Sequence, residues 1–307
     1  MSKKYPRDMV GYGKKSGPIF KRWPNNSKLA LQIVVNYEEG GENCVLHGDK
    51  HSETFLSEII GAQPIKGRNM NMESLYEYGS RRGFWRIYKL FMEREIPFTI
   101  FGVATALEKN KDVCEAIKKS YLKKNPIEVA CHGLKWIDYQ NIPKQIEKKH
   151  MKMAIKSIQK TIGKRPLGWY TGRCSPNTLD LVIEEGGFLY CSDTYSDDIP
   201  YWEKRRNKNQ LMIPYTLDNN DMRFLTNQGF NSGDQFFSYL KDSFDSLYEE
   251  GKHKPKMMSI GLHCRIIGKP GRIQSLKKFL DYITSFDKVW ICKREDIANH
   301  WISNHNN

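Results

Sequence analysis

Two adjacent carboxylates, Glu38 and Glu39, follow the apolar run Ile33-Val34-Val35, and two glycines and a third acid, Glu42, come directly after them. The same juxtaposition recurs along the chain. His132 follows the apolar run 127–131, Arg173 follows 167–170, Asp193 follows 188–192 and His263 follows 257–262. Carboxylates can take a proton from water, an imidazole can return one to a leaving group, and a guanidinium can orient an anion or a carbonyl. No serine or cysteine sits in a recognisable nucleophile elbow. The set therefore suits attack by activated water on an amide-like bond better than an acyl-enzyme route. Two neighbouring carboxylates do not both ionise easily. One pKa of the pair Glu38 and Glu39 is thus expected to rise towards neutral, as a general base needs, with Glu38 the residue expected to deprotonate water.

Each position also has a plainer account on its own. The acidic pair could be a solvated turn, each histidine a loop or capping residue, and Arg173 the partner of a surface acid. Their repetition at matching ends of successive apolar runs favours the chemical reading, because the C-terminal ends of parallel strands converge on one face.

The elements that must hold these residues can be read from the apolar pattern. Short runs of consecutive apolar residues predict buried strands over 33–35, 98–103, 127–131, 167–170, 188–192, 211–215, 257–262 and 289–292. Helical spacing and end signals predict helices over 51–60 (started by Ser52), 84–95, 111–122, 143–162, 178–185 (capped by Thr178), 234–250, 272–284 and 295–302, with a helical turn over 72–78. Residues 1–28, rich in Gly, Pro and Lys, are expected to form an irregular arm anchored by Phe20 and Trp23. This β–α alternation, without internal repeat or linker, predicts one α/β domain over residues 1–307, a TIM-like barrel of seven or eight units. An open doubly wound sheet is the structural alternative. Neither GxGxxG after the first strand nor GxxxxGK[ST] is present, so dinucleotide and P-loop chemistry are not expected.

The totals narrow the class further. The seven cysteines, an odd number without CxxC spacing, suit reduced thiols in a cytoplasmic protein. No apolar segment follows the basic N-terminus, and no run approaches the length of a membrane span. The net charge of +14 comes from lysines spread over helix faces and interleaved with acids, without a nucleic-acid-binding motif. A solvated basic surface is expected, with neither nucleic acid nor membrane as partner.

Taken in order, Asn36-Tyr-Glu-Glu39, His132-Gly-Leu-Lys-Trp136, Arg173, Ser192-Asp193 and Leu262-His263 resemble the polysaccharide deacetylase (NodB-homology) superfamily over almost the whole chain. The resemblance implies a distorted (β/α) barrel. It makes Glu38 similar to the family's catalytic base, Glu39 to its metal-ligating acid and His263 to its general acid. Asn36, Tyr37, His132, Trp136, Arg173 and Asp193 are then expected around the substrate, with Asp193 orienting an imidazole. Trp136 stands where the family's second metal-ligating histidine should be, and an indole has no ligating lone pair.

The departures point to one branch. Tyr5-Pro-Arg-Asp8, the run from Asn36 to Asp49, the run from Met70 to Gly79, Trp169-Tyr-Thr-Gly-Arg173, Asn220-Asp-Met-Arg-Phe224 and Gly229-Phe-Asn-Ser-Gly-Asp234 are similar to the metal-independent allantoinases recruited from that superfamily. The implied reaction is the opening of allantoin's hydantoin ring to allantoate, in purine breakdown, by a cytoplasmic homo-oligomer. The implied catalysts are Glu38, Glu39 and His263, with no cofactor, no metal, and Glu39 and His132 as vestigial ligand positions. Two other readings stay open. One is a sugar N-deacetylase acting on chitin- or peptidoglycan-type oligosaccharides. The other is a catalytically degenerate barrel that only binds.

Overall fold

Nine consecutive buried residues, Leu29–Tyr37, form β1, the central strand of the molecule. The computed structural model describes residues 21–205 and 207–305. Phe20 and the Tyr5–Asp8 motif of the expected arm lie outside the described residues. Trp23, its other expected anchor, packs against Trp290, His300 and Trp301 and donates its indole N–H to the Lys256 carbonyl at 2.8 Å.

After β1 the chain forms Met70–Tyr78 (α1), a π turn over Gly79–Gly83, and Phe84–Glu93 (α2). Thr99–Gly102 (β2), Ala104–Lys109 (α3), Lys111–Ser120 (α4) and Glu128–Cys131 (β3) follow. Next come Lys144–Ile162 (α5), Gly168–Trp169 (β4), Thr178–Glu185 (α6), Tyr190–Cys191 (β5), Tyr201–Arg205 (β6) and Lys208–Met212 (β7). Gly233–Glu250 (α7), Lys256–His263 (β8), Pro270–Ile283 (α8), Val289–Cys292 (β9) and Arg294–Asn304 (α9) complete it. None of these helices is long and apolar enough to cross a membrane.

The sheet order is β6-β7-β5-β4-β3-β2-β1-β8, and β9 fills the half of one β1 edge that β2 leaves open. All pairs are parallel except the β6–β7 hairpin. The sheet curls into the half-barrel expected of the distorted (β/α) class. Among the described residues no strand closes it on the free side of β8. Irregular backbone does so instead: Met257 N–H donates to Asp198 O and Gly261 N–H to Asn219 O, both at 2.9 Å. Inside the barrel the buried Arg294 ties β1, β5 and β8 together through Gln32, Ser192 and Ser259, and also donates to the carbonyls of Ile213 and Pro214.

Register sets the site. Asn36 lies opposite His263, Tyr37 opposite Gly102, Gly102 opposite Cys131, and Cys131 opposite Trp169. Glu38, His132, Arg173 and His263 therefore emerge along one rim.

Some expected elements differ. The segment 51–60 is not helical. Leu56 has φ of 53°, the Ser52 backbone and hydroxyl bond Ile65, and the Glu53 carboxylate accepts from Asn43, Thr54 and Phe55 N–H groups. Local polar bonds thus outcompete helix formation there. Thr178 is not the cap of α6. It sits inside the first turn, accepts from Ser175 N–H and donates to Glu147. The short α3 and the β6–β7 hairpin were not expected, and the strands over 167–170 and 188–192 shrink to two residues each.

The π turn has a packing reason. A Cβ on Gly83 would lie 1.9 Å from the Cys264 carbonyl oxygen, and one on Gly79 would lie 2.3 Å from Glu39 Oε1. Gly83 lets this turn lie directly on the loop after β8, and Gly79 lets it lie against Glu39 after β1. Gly83→Ala is expected to lower the free energy of unfolding in urea by roughly 1–3 kcal/mol, because the contact is with backbone that must shift. A variant as stable as the parent would refute this close packing.

Candidate active site

A cavity of about 110 Å³ opens at the rim and is lined by Asn36, Glu38, His132, Trp136, Arg173 and His263 together with Phe55, Leu56, Tyr170 and Tyr215. Tyr37, Glu39 and Asp193, also expected there, do not line it. Side chains alternate along a strand. Asn36 and Glu38 consequently face the cavity, while Tyr37 turns to the layer between sheet and helices and meets Phe84 edge-on at 5.5 Å. Glu39 turns the same way and lines a second cavity of about 200 Å³ with Tyr37, Glu42, Tyr76 and Lys109.

Glu38 is the hub. Its side chain is 1% exposed, and Arg265 Nη1 donates to Oε2 at 2.7 Å. Oε1 lies 3.3 Å from His132 Nε2 and 3.5 Å from His263 Nε2. Burial by itself would raise its pKa. Arg265, His263 and the hydrogen bonds from both histidines outweigh burial and hold the carboxyl well below the usual carboxylate range. One pKa of the pair does rise as expected, but not that of Glu38, the residue expected to deprotonate water. Of the pair it is Glu39 whose pKa is raised, by burial and by Glu38, with Arg265 opposing. Arg265 was absent from the sequence reading, and its hydrogen bond to Glu38 helps decide which of the two acids is raised.

His263 Nδ1 sits 2.6 Å from Asp221 Oδ1, while Asp221 Oδ2 accepts from the backbone N–H groups of His263 and Ile267 at 2.7 and 3.0 Å. Burial disfavours the imidazolium. Glu38 and Asp221 outweigh it and push the pKa up to about 9. His263 thus carries a proton at neutral pH, as a general acid requires.

The residue that orients this imidazole is Asp221, not Asp193. Asp193 instead accepts from Thr171 and Gly172 N–H at 2.8–3.0 Å and so holds the loop that carries Arg173. Burial raises its pKa to about 6 against those bonds. Arg173 donates to the Trp136 carbonyl and lies over the Trp136 ring, 4.3 Å from its centroid. His132 Nδ1 faces the Tyr170 carbonyl at 3.2 Å, which leaves Nε2 directed at Glu38. Asn36 donates to the Tyr215 hydroxyl at 2.9 Å and to Leu262 O at 3.1 Å.

The residues do not fit a divalent metal. Among the described residues no group of three or more His, Cys, Asp and Glu is arranged to hold one. Glu39, one of the two positions expected to be vestigial ligands, turns away from the cavity that His132 lines. The guanidinium of Arg265 already occupies one side of Glu38, and Trp136 offers no ligand.

Sequence reasoning missed Arg265 and Asp221. The signal for Asp221 was available in Asn220-Asp-Met-Arg-Phe224, a segment with no chemistry assigned to it. Arg265 follows His263 by two residues without any pattern to mark it.

His263 has a folded pKa above its ordinary value of 6.5. Its contribution to stability is therefore complete below about pH 6.5 and is lost as pH rises through about 9, at most roughly 3 kcal/mol in all. In Asp221→Asn the imidazole's NMR titration midpoint is expected to fall, and the alkaline loss of stability to shrink. An unchanged midpoint would refute the assignment of Asp221 as its partner.

The family model for polysaccharide deacetylases matches residues 71–182. A Schizosaccharomyces pombe protein assigned by name to the polysaccharide deacetylases is 42% identical over 320 residues, covering 97% of this chain and 98% of that protein. The crystal structure of Puue allantoinase superposes with a TM-score of 0.93 at 54% identity, covering 99% of each chain. A Pseudomonas aeruginosa structure, named as a polysaccharide deacetylase, superposes with a TM-score of 0.93 at 55% identity, covering 99% of this chain and 100% of that one. The expected barrel and family resemblance agree with these matches, and the chain belongs to the polysaccharide deacetylase family, whose members are hydrolases of carbon–nitrogen bonds other than peptide bonds.

Proposed function

We propose that this chain hydrolyses a cyclic amide bond, opening the hydantoin ring of allantoin to allantoate without a catalytic metal. The observation that carries the reading is the pairing of an ionised carboxylate, Glu38, with an imidazolium, His263, 3.5 Å apart at one small cavity. The 54% identity with Puue allantoinase along the full chain supports the choice of ring. Flat walls suit a planar ligand: Trp136 with Arg173 across its face on one side, and Tyr170 and Tyr215 on another.

In this mechanism a water held by Glu38 and His132 attacks the ring carbonyl carbon. The water oxygen forms the new C–O bond, and its proton passes to Glu38 as attack proceeds. Because Glu38 is a weak base in its ground state, that transfer accompanies bond formation rather than preceding it. Arg173 neutralises charge developing on the carbonyl oxygen. His263 delivers its proton to the ring nitrogen as the C–N bond breaks, and the proton on Glu38 restores the imidazolium. The net change is addition of one water across one C–N bond. Action in purine breakdown, a cytoplasmic setting and homo-oligomeric assembly belong to the same proposal.

A second reading has its own support. A groove of about 620 Å³ shares Tyr195, Tyr215 and Leu217 with the cavity, room that a planar ureide does not need and an N-acetylated oligosaccharide would use.

Chelator-treated enzyme is expected to form allantoate as fast as untreated enzyme, and Glu38→Gln to lose about 10²–10⁴-fold in turnover. No allantoate under either condition would overturn the proposal, and acetate release from chitin oligosaccharides would favour the second reading. Unchanged turnover in Glu38→Gln would sink the role given to that carboxylate.

A further inference from the structure

Arg265 is 3% exposed and is held on every side. Its Nη1 lies 2.7 Å from Glu38 Oε2 and 3.6 Å from Glu39 Oε1, so one nitrogen faces both carboxylates. Nε and Nη2 are tied to the Leu56 carbonyl at 3.3 and 3.4 Å, and the backbone N–H donates to Glu39 Oε1 at 3.1 Å. The guanidinium carbon lies 4.4 Å from the centroid of Tyr76 and 5.1 Å from that of Trp136, whose faces attract a cation.

This is the placement of a point charge rather than of a bidentate clamp. A carboxylate fork would have engaged two guanidinium nitrogens; here the second and third are spent on a carbonyl. A divalent ion bound to Glu38 Oε2 at about 2.0–2.2 Å would have to share space with Nη1. Trp136, in the position where the sequence pattern calls for a metal-ligating histidine, supplies one of the two aromatic faces that stabilise the guanidinium.

We propose that Arg265 is a built-in cation whose Nη1 takes the place of a metal ion between Glu38 and Glu39, supplying from the chain itself the positive charge that fixes Glu38 towards the cavity. The inference rests on the metal-free reading above and names the residue that makes it workable. Arg265 acts through Glu38 and is therefore a positioning residue. Because a single nitrogen serves both acids, charge at that point is what the site requires.

The test is chemical rescue. Arg265→Ala leaves a gap the size of a guanidinium beside two buried carboxylates. Guanidinium chloride at tens of millimolar is expected to raise the melting temperature of this variant saturably, by about 2 °C or more. Equal sodium chloride or urea should not do so, and adding Glu38→Gln should abolish the effect. The same ion is expected to recover at least tenfold of an allantoin turnover that the substitution lowers by about 10²-fold or more.

A folded Arg265→Ala with parental turnover, or a melting shift reproduced by sodium chloride, would overturn the proposal. If the alanine variant does not fold, Arg265→Lys replaces the charge without the fork and is expected to keep more than about a tenth of the parental rate; folded Arg265→Lys at background rate would overturn it. The melting arm needs no substrate. Parental enzyme inert on allantoin would therefore remove the functional reading while leaving this inference to stand or fall on guanidinium binding.

Discussion

A carboxylate as deeply buried as Glu38 persists in ionised form only where its charge is met by partners that are themselves fixed. Three groups meet it here: Arg265 from the loop after β8, His263 at the end of β8, and His132 just beyond β3. Each of the three has its own anchor. Leu56 O and two aromatic faces hold Arg265, Asp221 holds His263, and Tyr170 O orients His132. Removing any anchor therefore acts on Glu38 at one remove. This gives the buried charge a specific geometry, and it also divides the labour of the two acids. Arg265 and the histidines hold the pKa of Glu38 down, while burial and Glu38 push that of Glu39 up.

The strands supply the precision that such a cluster needs. β1 is buried along its whole length and is shared by three neighbours, so its register is fixed from both edges. A shift of one residue between β1 and β8 would reverse the facing of every side chain along the slipped strand. It would also move His263 out of line with Asn36. The barrel interior also holds Arg294, a second fully buried guanidinium, which donates to hydroxyls, an amide and carbonyls rather than to a carboxylate. The two arginines show two ways of keeping a cation inside one barrel: one is neutralised by acids at the rim, the other is only solvated by dipoles.

Much of this was legible in the sequence, for identifiable reasons. Consecutive apolar runs mark buried parallel strands, and the residues just beyond them fall at one rim, which located Glu38, His132, Arg173 and His263. Long helices with clear ends, such as α5 and α7, were legible as well. Tyr37 and Glu39 were misplaced because adjacency in a motif conceals the alternation that sends neighbours to opposite faces. Asp193 was given the task of Asp221 because it follows a strand, whereas Asp221 lies in a 3₁₀ turn that no periodicity announces. Arg265 was invisible for the same reason, and with it the order of the two acids. The false helix over 51–60 had the right apolar spacing, but side-chain bonds from Ser52 and Glu53 claimed its backbone.

The gap beside β8 has a further meaning. The barrel is closed there by turns, and those turns run on into the one that carries Asp221, the partner of His263. The wall of the large groove and the tuning of the acid are therefore parts of one continuous segment. A change that reshapes this segment also acts on the proton affinity of His263. Through His263 it reaches the carboxylate hub as well, so the shape of the groove and the charge balance at the rim change together.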